Sequence, residues 1–126
     1  MDELSNRIIG AAIEVHKELG PGLLESTYEA CLAYELHQRR LEVVRQKKQL
    51  INYKGLKIDE AYRIDLLVEG KIILELKAVD RLSNVHMAQL LTYLKLSDCT
   101  LGYLMNFNVP LMKDGVRRVV NNHSNT

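Results

Sequence analysis

The chain has 126 residues, which leaves room for one domain and not for a second. Hydrophobic residues make up 47% and charged residues 26%, a composition that supports a packed core and excludes wholesale disorder. Apolar runs are only a few residues long, against the roughly 20 a bilayer-spanning helix needs, and the opening Met1-Asp2-Glu3 is acidic where a secretory signal is basic, so a soluble cytoplasmic protein is expected. Cys31 and Cys99 do not make a disulfide framework, and the absence of a CxxC or Cys/His cluster argues against zinc. The net charge of +1 does not mark a nucleic-acid binder, but it is unevenly spread. Residues 1–35 hold seven acids against two bases. Residues 39–57 hold seven bases against Glu42 alone. A basic side could face a polyanion and an acidic side could draw cations. The plainer alternative is that these bases solvate an exposed strand.

In chain order, Asp2 to Leu19 reads as a helix, with Leu4, Ile8, Ala12, Val15 and Leu19 at helical spacing. Gly20-Pro21-Gly22 ends it. A second helix is predicted over about 23–39. Leu41 to Ile51 reads as a strand, Asn52 to Gly55 as a turn, Ile58 to Val68 as a second strand and Lys71 to Val79 as a third, joined in an antiparallel meander. Asp80 or Ser83 can cap a helix running to about Leu96. Leu101 to Phe107 is a fourth strand, and Lys113-Asp114-Gly115 turns into a fifth, Val116 to Val120. The tail 121–126 is expected to fray, leaving a core over about 6–120 within a single domain, 1–126. The order ααβββαββ gives an α+β, mixed α/β fold with helices packed on a sheet.

Chemistry is expected on strands two and three. Both are strongly apolar, as if covered on two faces, yet they carry Asp65, Glu75 and Lys77. Glu75 and Lys77 are two apart and share a strand face. Burying such groups without partners is costly. Two converging carboxylates make a site for a hard cation such as Mg²⁺, with the backbone carbonyl of Leu76 as a further oxygen. A neighbouring lysine can orient water and neutralise charge on phosphate. An internal ion pair is the alternative. On the second helix Glu25 lies in line with Tyr28, Leu32 and Leu36, so a carboxylate sits on the face that should pack on the sheet; it could equally be an exposed acid near the helix start. Glu29 and Glu35 flank that stripe. On the third helix, His86, Gln89 and Tyr93 form one row that could face a substrate or simply solvent.

Gly22 to Tyr28, with Glu25 between, resembles the GxxExxY signature of a small bacterial and archaeal family placed in the PD-(D/E)xK nuclease superfamily. The resemblance runs from about Asn6 to Val120 and includes Asp65, nine intervening residues, Glu75-Leu76-Lys77 and then Gln89. One departure is Ile64, where the signature has Pro. The resemblance implies a restriction-endonuclease-like core with a central mixed sheet flanked by helices. It implies that Asp65 and Glu75 ligate Mg²⁺, with Mn²⁺ as a substitute, and that Glu25 adds to the metal site. Lys77 would position water and steady the scissile phosphate, and Gln89 would support the site. The function implied is a metal-dependent nuclease, with DNA ahead of RNA. The alternatives are a catalytically silent nuclease fold that binds nucleic acid or a protein partner, and a structural homo-oligomer. A chain this small has little surface for gripping a duplex, so a homodimer would help.

Two geometric expectations follow. A two-residue Glu69-Gly70 loop would put Asp65 and Glu75 on opposite sheet faces. A three-residue connection, or one bulge, restores the match: with Val68-Glu69-Gly70 as the loop, Leu67 pairs with Lys71, Asp65 opposes Ile73, and Glu75 is a diagonal neighbour on the same face. Glu-Gly is a poor type I′ pair, which also disfavours the shorter loop. Along the first strand, alternation puts Arg45 and Lys47 on one face and Lys48 on the other; all three are candidate phosphate contacts.

Overall fold

Asp2 starts the first helix by accepting a hydrogen bond from the Ser5 N–H at 2.7 Å, which also holds the Asp2 carboxyl below its ordinary pKa. The structure, a computed structural model, describes residues 2–122. Helix α1 (Glu3–Leu19) ends at Gly20, whose φ of 69° suits glycine. Then follow α2 (Glu25–Gln38), β1 (Val43–Tyr53), β2 (Leu56–Val68), β3 (Ile72–Lys77), α3 (Asn84–Ser97), β4 (Leu101–Asn106) and β5 (Val116–Val120). The predicted order is therefore present. The expected turn at 52–55 tightens to Lys54-Gly55, both at positive φ, with Tyr53 paired to Leu56. Ser83, not Asp80, caps α3. A 3₁₀ turn, Met112–Gly115, replaces the simple hairpin turn before β5.

The five strands lie in sequence order. β3 and β4 are parallel, as the α3 crossover requires, and the other neighbours are antiparallel. The sheet carries a core on each face. Leu66, Val68, Ile72, Leu74, Leu76, Tyr103 and Met105 pack beneath α1 and α2. Ile64, Ile73, Leu104 and Val119 pack with Leu90 and Leu94 of α3. Gly102 lets α3 come close: a Cβ there would stand 3.0 Å from Leu90 Cδ1. Of the tail expected to fray, Asn121 is pinned, its N–H donating to Thr100 O at 2.8 Å; residues 123–126 lie outside the described residues.

Candidate active site

The β2–β3 connection sets the site. Glu69 and Gly70 both take left-handed φ, 55° and 64°, and the Lys71 N–H donates to Val68 O at 3.0 Å. The chain turns tightly on Glu69-Gly70 despite the poor type I′ pair, yet the connection is the expected three residues rather than two, placed at 69–71. Glu69 is held there by Glu42: its N–H donates to Glu42 O at 2.8 Å and its carboxylate accepts from Glu42 N at 2.5 Å. Lys71 is then the extra residue, and the register is Val68↔Ile72, Leu67↔Ile73 and Leu66↔Leu74. This corrects the expected pairing of Leu67 with Lys71. Continued one step, the register sets Asp65 directly opposite Glu75 rather than diagonal to it.

At that step backbone pairing gives way to side chains. The Asp65 N–H donates to Glu75 Oε2 at 3.0 Å, and Leu76 N–H donates to Asp65 Oδ2 at 2.9 Å. Each carboxylate takes a ladder donor from the opposite strand. The β1–β2 pairing is irregular at the same level. Arg45 pairs with Leu66 and Lys47 with Ile64, with no bridge between Gln46 and Asp65, and Gln46 has φ 51°. Leu66 belongs to the α1/α2 core and Ile64 to the α3 core. Strict alternation would put those two on one face, so both strands change face at Gln46 and Asp65. Arg45 and Lys47 therefore lie on opposite faces, which overturns the expected grouping, and Lys48 falls on the side of Arg45. Arg45 reaches α2, its Nε 3.1 Å from Glu29 Oε2.

Burial pushes the Glu75 carboxyl up to about 8, and the nearby Asp65 charge adds to the rise; the Asp65 N–H and Lys77 pull the other way. Burial also raises Asp65, reinforced by Glu29 and opposed by the Leu76 N–H, Gln46 and Lys77. Lys77 is partly buried at the end of β3, two residues beyond Glu75. On the α3 side, Tyr62 and Tyr93 stack with centroids 4.1 Å apart. Burial, with Tyr93, Cys99 and Glu75 adding, lifts the Tyr62 hydroxyl to about 12. Tyr93 is raised by burial and by the Glu75 and Asp65 charges, so this stack borders the acids.

The remaining candidates are more dispersed. Glu25 is exposed at the start of α2 and accepts from the Ala78 N–H at 3.2 Å, just beyond Lys77. It borders an open hollow lined also by Leu23, Leu24, Ser26 and Ala78. His86 Nδ1 accepts from the Ser83 N–H at 3.1 Å in the α3 capping box. Gln89 is exposed one turn before Tyr93. Lys47 is half-buried and Lys48 exposed. Two residues at the site were not assigned to it from the sequence. Glu29, 7% exposed, accepts from Gln46 Nε2 at 2.6 Å, and the same nitrogen donates to Asp65 Oδ1 at 3.3 Å. Glu29 is four residues after Glu25 on one helix face, a signal that was available. Gln46 gave none.

Among the described residues, no three His, Cys, Asp or Glu side chains gather closely enough to cage a metal. Asp65 and Glu75 supply a two-carboxylate set of hard oxygens, and Glu25 stands apart from them on Ala78. That set fits Mg²⁺, which keeps several waters and needs one or two carboxylates. Residues 2–119 match the sequence model of the PD-(D/E)XK nuclease superfamily. The chain belongs to that superfamily, and its mixed sheet with flanking helices is consistent with a restriction-endonuclease-like fold. Neither a curated protein nor a solved structure matches it. No helix of the described residues is long and apolar enough to cross a membrane.

Proposed function

We propose that the chain hydrolyses phosphodiester bonds of nucleic acid, using Mg²⁺ or Mn²⁺ held between Asp65 and Glu75. The observation that supports this reading is the interlocked pair itself: each carboxylate takes a backbone donor from the other's strand, inside a sheet that is apolar on both faces. Burial and mutual repulsion work against ionising both acids, and a dication would relieve both. Once bound, it would supply stabilisation of charge on the phosphate and acidify a water. Lys77, on the Glu75 side of β3, would orient that water and meet the phosphate oxygens. Glu25 would serve from the rim through Ala78, Leu76 would offer its carbonyl, and Gln89 with Tyr93 and His86 would border the substrate along α3. Either Lys47 on one sheet face, or Arg45 and Lys48 on the other, would meet backbone phosphates.

Within the superfamily, the GxxExxY resemblance has a physical basis. Gly22 takes φ 98°, Glu25 holds the Ala78 N–H, and Tyr28 Oη donates to Gly20 O at 2.6 Å while accepting from Leu23 N at 3.1 Å. The three residues thus fold the α1–α2 turn against the end of β3. DNA is the favoured substrate by superfamily resemblance alone. The two free cysteines support a cytoplasmic location, and the whole chain reads as one nuclease-like domain that would gain grip as a homodimer. The test is cleavage of single- and double-stranded DNA and RNA under Mg²⁺, Mn²⁺ or EDTA, with Lys77→Ala alongside. Metal-dependent cutting lost in the variant supports the reading. Binding without cutting under any cation would favour the silent nuclease fold.

A further inference from the structure

Gln46 stands out because it has an unfavourable backbone in the middle of a strand. A non-glycine residue at φ 51° is strained there, and in strand β1 no turn requires it. What the conformation achieves is visible in the side chain. Both hydrogens of its amide nitrogen are used, one on Glu29 Oε1 at 2.6 Å and one on Asp65 Oδ1 at 3.3 Å. Glu29 is itself fixed from its other oxygen by Arg45 Nε at 3.1 Å and is buried on α2. The series Arg45–Glu29–Gln46–Asp65 therefore runs from helix to strand and ends on one of the two interlocked acids. Asp65 has its second oxygen on the Leu76 N–H. Its carboxylate plane is thus set from both sides, by β3 through a backbone donor and by α2 through Gln46.

We propose that Gln46 is a positioning residue for the candidate metal centre, aiming the Asp65 carboxylate from an anchor on Glu29. The inference rests on the reading of Asp65 as a cation ligand. An amide suits the place better than a charged group. It donates to two carboxylates at once, separating Glu29 from Asp65 without competing for the cation. A lysine would bring its own charge, and a glutamate would have no hydrogen to donate. Outer partners of this kind commonly change metal affinity by about 10–100-fold when removed.

Gln46→Gly separates this role from a structural one. Glycine accepts φ 51° without strain, so the strand break is kept while the amide is lost. The melting temperature of the metal-free variant is expected to equal or exceed that of the unaltered chain. Its calorimetric Mn²⁺ dissociation constant, measured without nucleic acid, is expected to rise about tenfold. In cleavage assays the half-saturating Mn²⁺ concentration should rise while KM for nucleic acid at saturating Mn²⁺ stays level. If Gln46→Gly melts lower, Glu29→Gln decides: it removes the carboxylate charge that anchors the amide, keeps the β1 backbone and the Gln46 side chain while loosening the Arg45 ion pair, and should weaken Mn²⁺ in the same way. Unchanged Mn²⁺ affinity in a variant that stays folded overturns the proposal. No Mn²⁺ binding by the unaltered chain overturns instead the metal-site reading beneath it.

Discussion

Glu75 keeps its proton to about pH 8 in the folded chain but has an ordinary value of 4.5. Between those pH values the folded state binds the extra proton, so stability is present at low pH and is lost as pH rises through the window. Asp65 shifts in the same direction and adds to the trend. The metal-free protein is therefore expected to melt lower at pH 8 than at pH 5, with millimolar Mg²⁺ or Mn²⁺ restoring the difference by mass action. Glu75→Gln should flatten the profile, since its amide oxygen still accepts the Asp65 N–H, and should raise stability at pH 8 by on the order of a few kcal/mol, read as a higher melting temperature. A melting temperature indifferent to both pH and metal would contradict the buried-acid picture. Lys77→Ala should behave differently: cleavage falls roughly 10²–10³-fold while calorimetric cation binding persists, because a like charge has left the site. Asp65, Glu75 and Lys77 were legible in the sequence because ionisable groups in apolar strands demand a partner. Glu29 was half-legible as a flank of the α2 stripe. Gln46 was not, because nothing in its chemistry signals a left-handed strand residue.

At the scale of elements, helices and strands followed from periodicity, and the differences lie at turns and at one register. The β1–β2 hairpin ran longer than expected because Lys54 and Gly55 make a two-residue turn. The nuclease reading required Asp65 and Glu75 to meet, and they do, by a route other than the one expected. Counting by alternation assumed unbroken strands, and the face change at Gln46 and Asp65 invalidates it. The change bears on the basic strand. Lys47 now lies on the α3 side, with Arg45 and Lys48 on the other. A duplex resting on one face would meet one group and not both. Salt titrations of nucleic-acid binding should therefore show the log–log slope falling by about 0.9 per lost contact for Lys47→Gln or for Lys48→Gln, but not for both. Equal losses from the two would mean that the strand is wrapped rather than faced. Arg45→Gln is a less clean probe, since it also releases Glu29.

Across the whole molecule, the site depends on parts far along the chain. Asn106 clasps Val79 twice, accepting from its N–H at 3.1 Å and donating to its carbonyl at 2.9 Å, and so fixes the chain just past Lys77. Gly115 lies against the Asn106 carbonyl so closely that a Cβ would come within 2.1 Å of its oxygen. Gly115→Ala should therefore destabilise by about 3 kcal/mol in thermal or urea unfolding and weaken cation binding with it. A sheet with helices packed on it was legible; the split of two helices over one face and one over the other was not, nor was this dependence on a glycine, because close backbone approach leaves no periodic trace. The break at Gln46 has one more consequence, beyond the metal. β1 ends the five-strand order, so its outer row of N–H and C=O groups is open to a neighbouring molecule. An invading strand would find three residues in line before Gln46, lysines directly after it, and a second break in register between Gln49 and Ile51. The kink that admits Asp65 to the sheet also makes this border a poor template for fibril growth. Gln46→Val, which disfavours the left-handed turn, should show it as concentration-dependent light scattering that Gln46→Gly does not share.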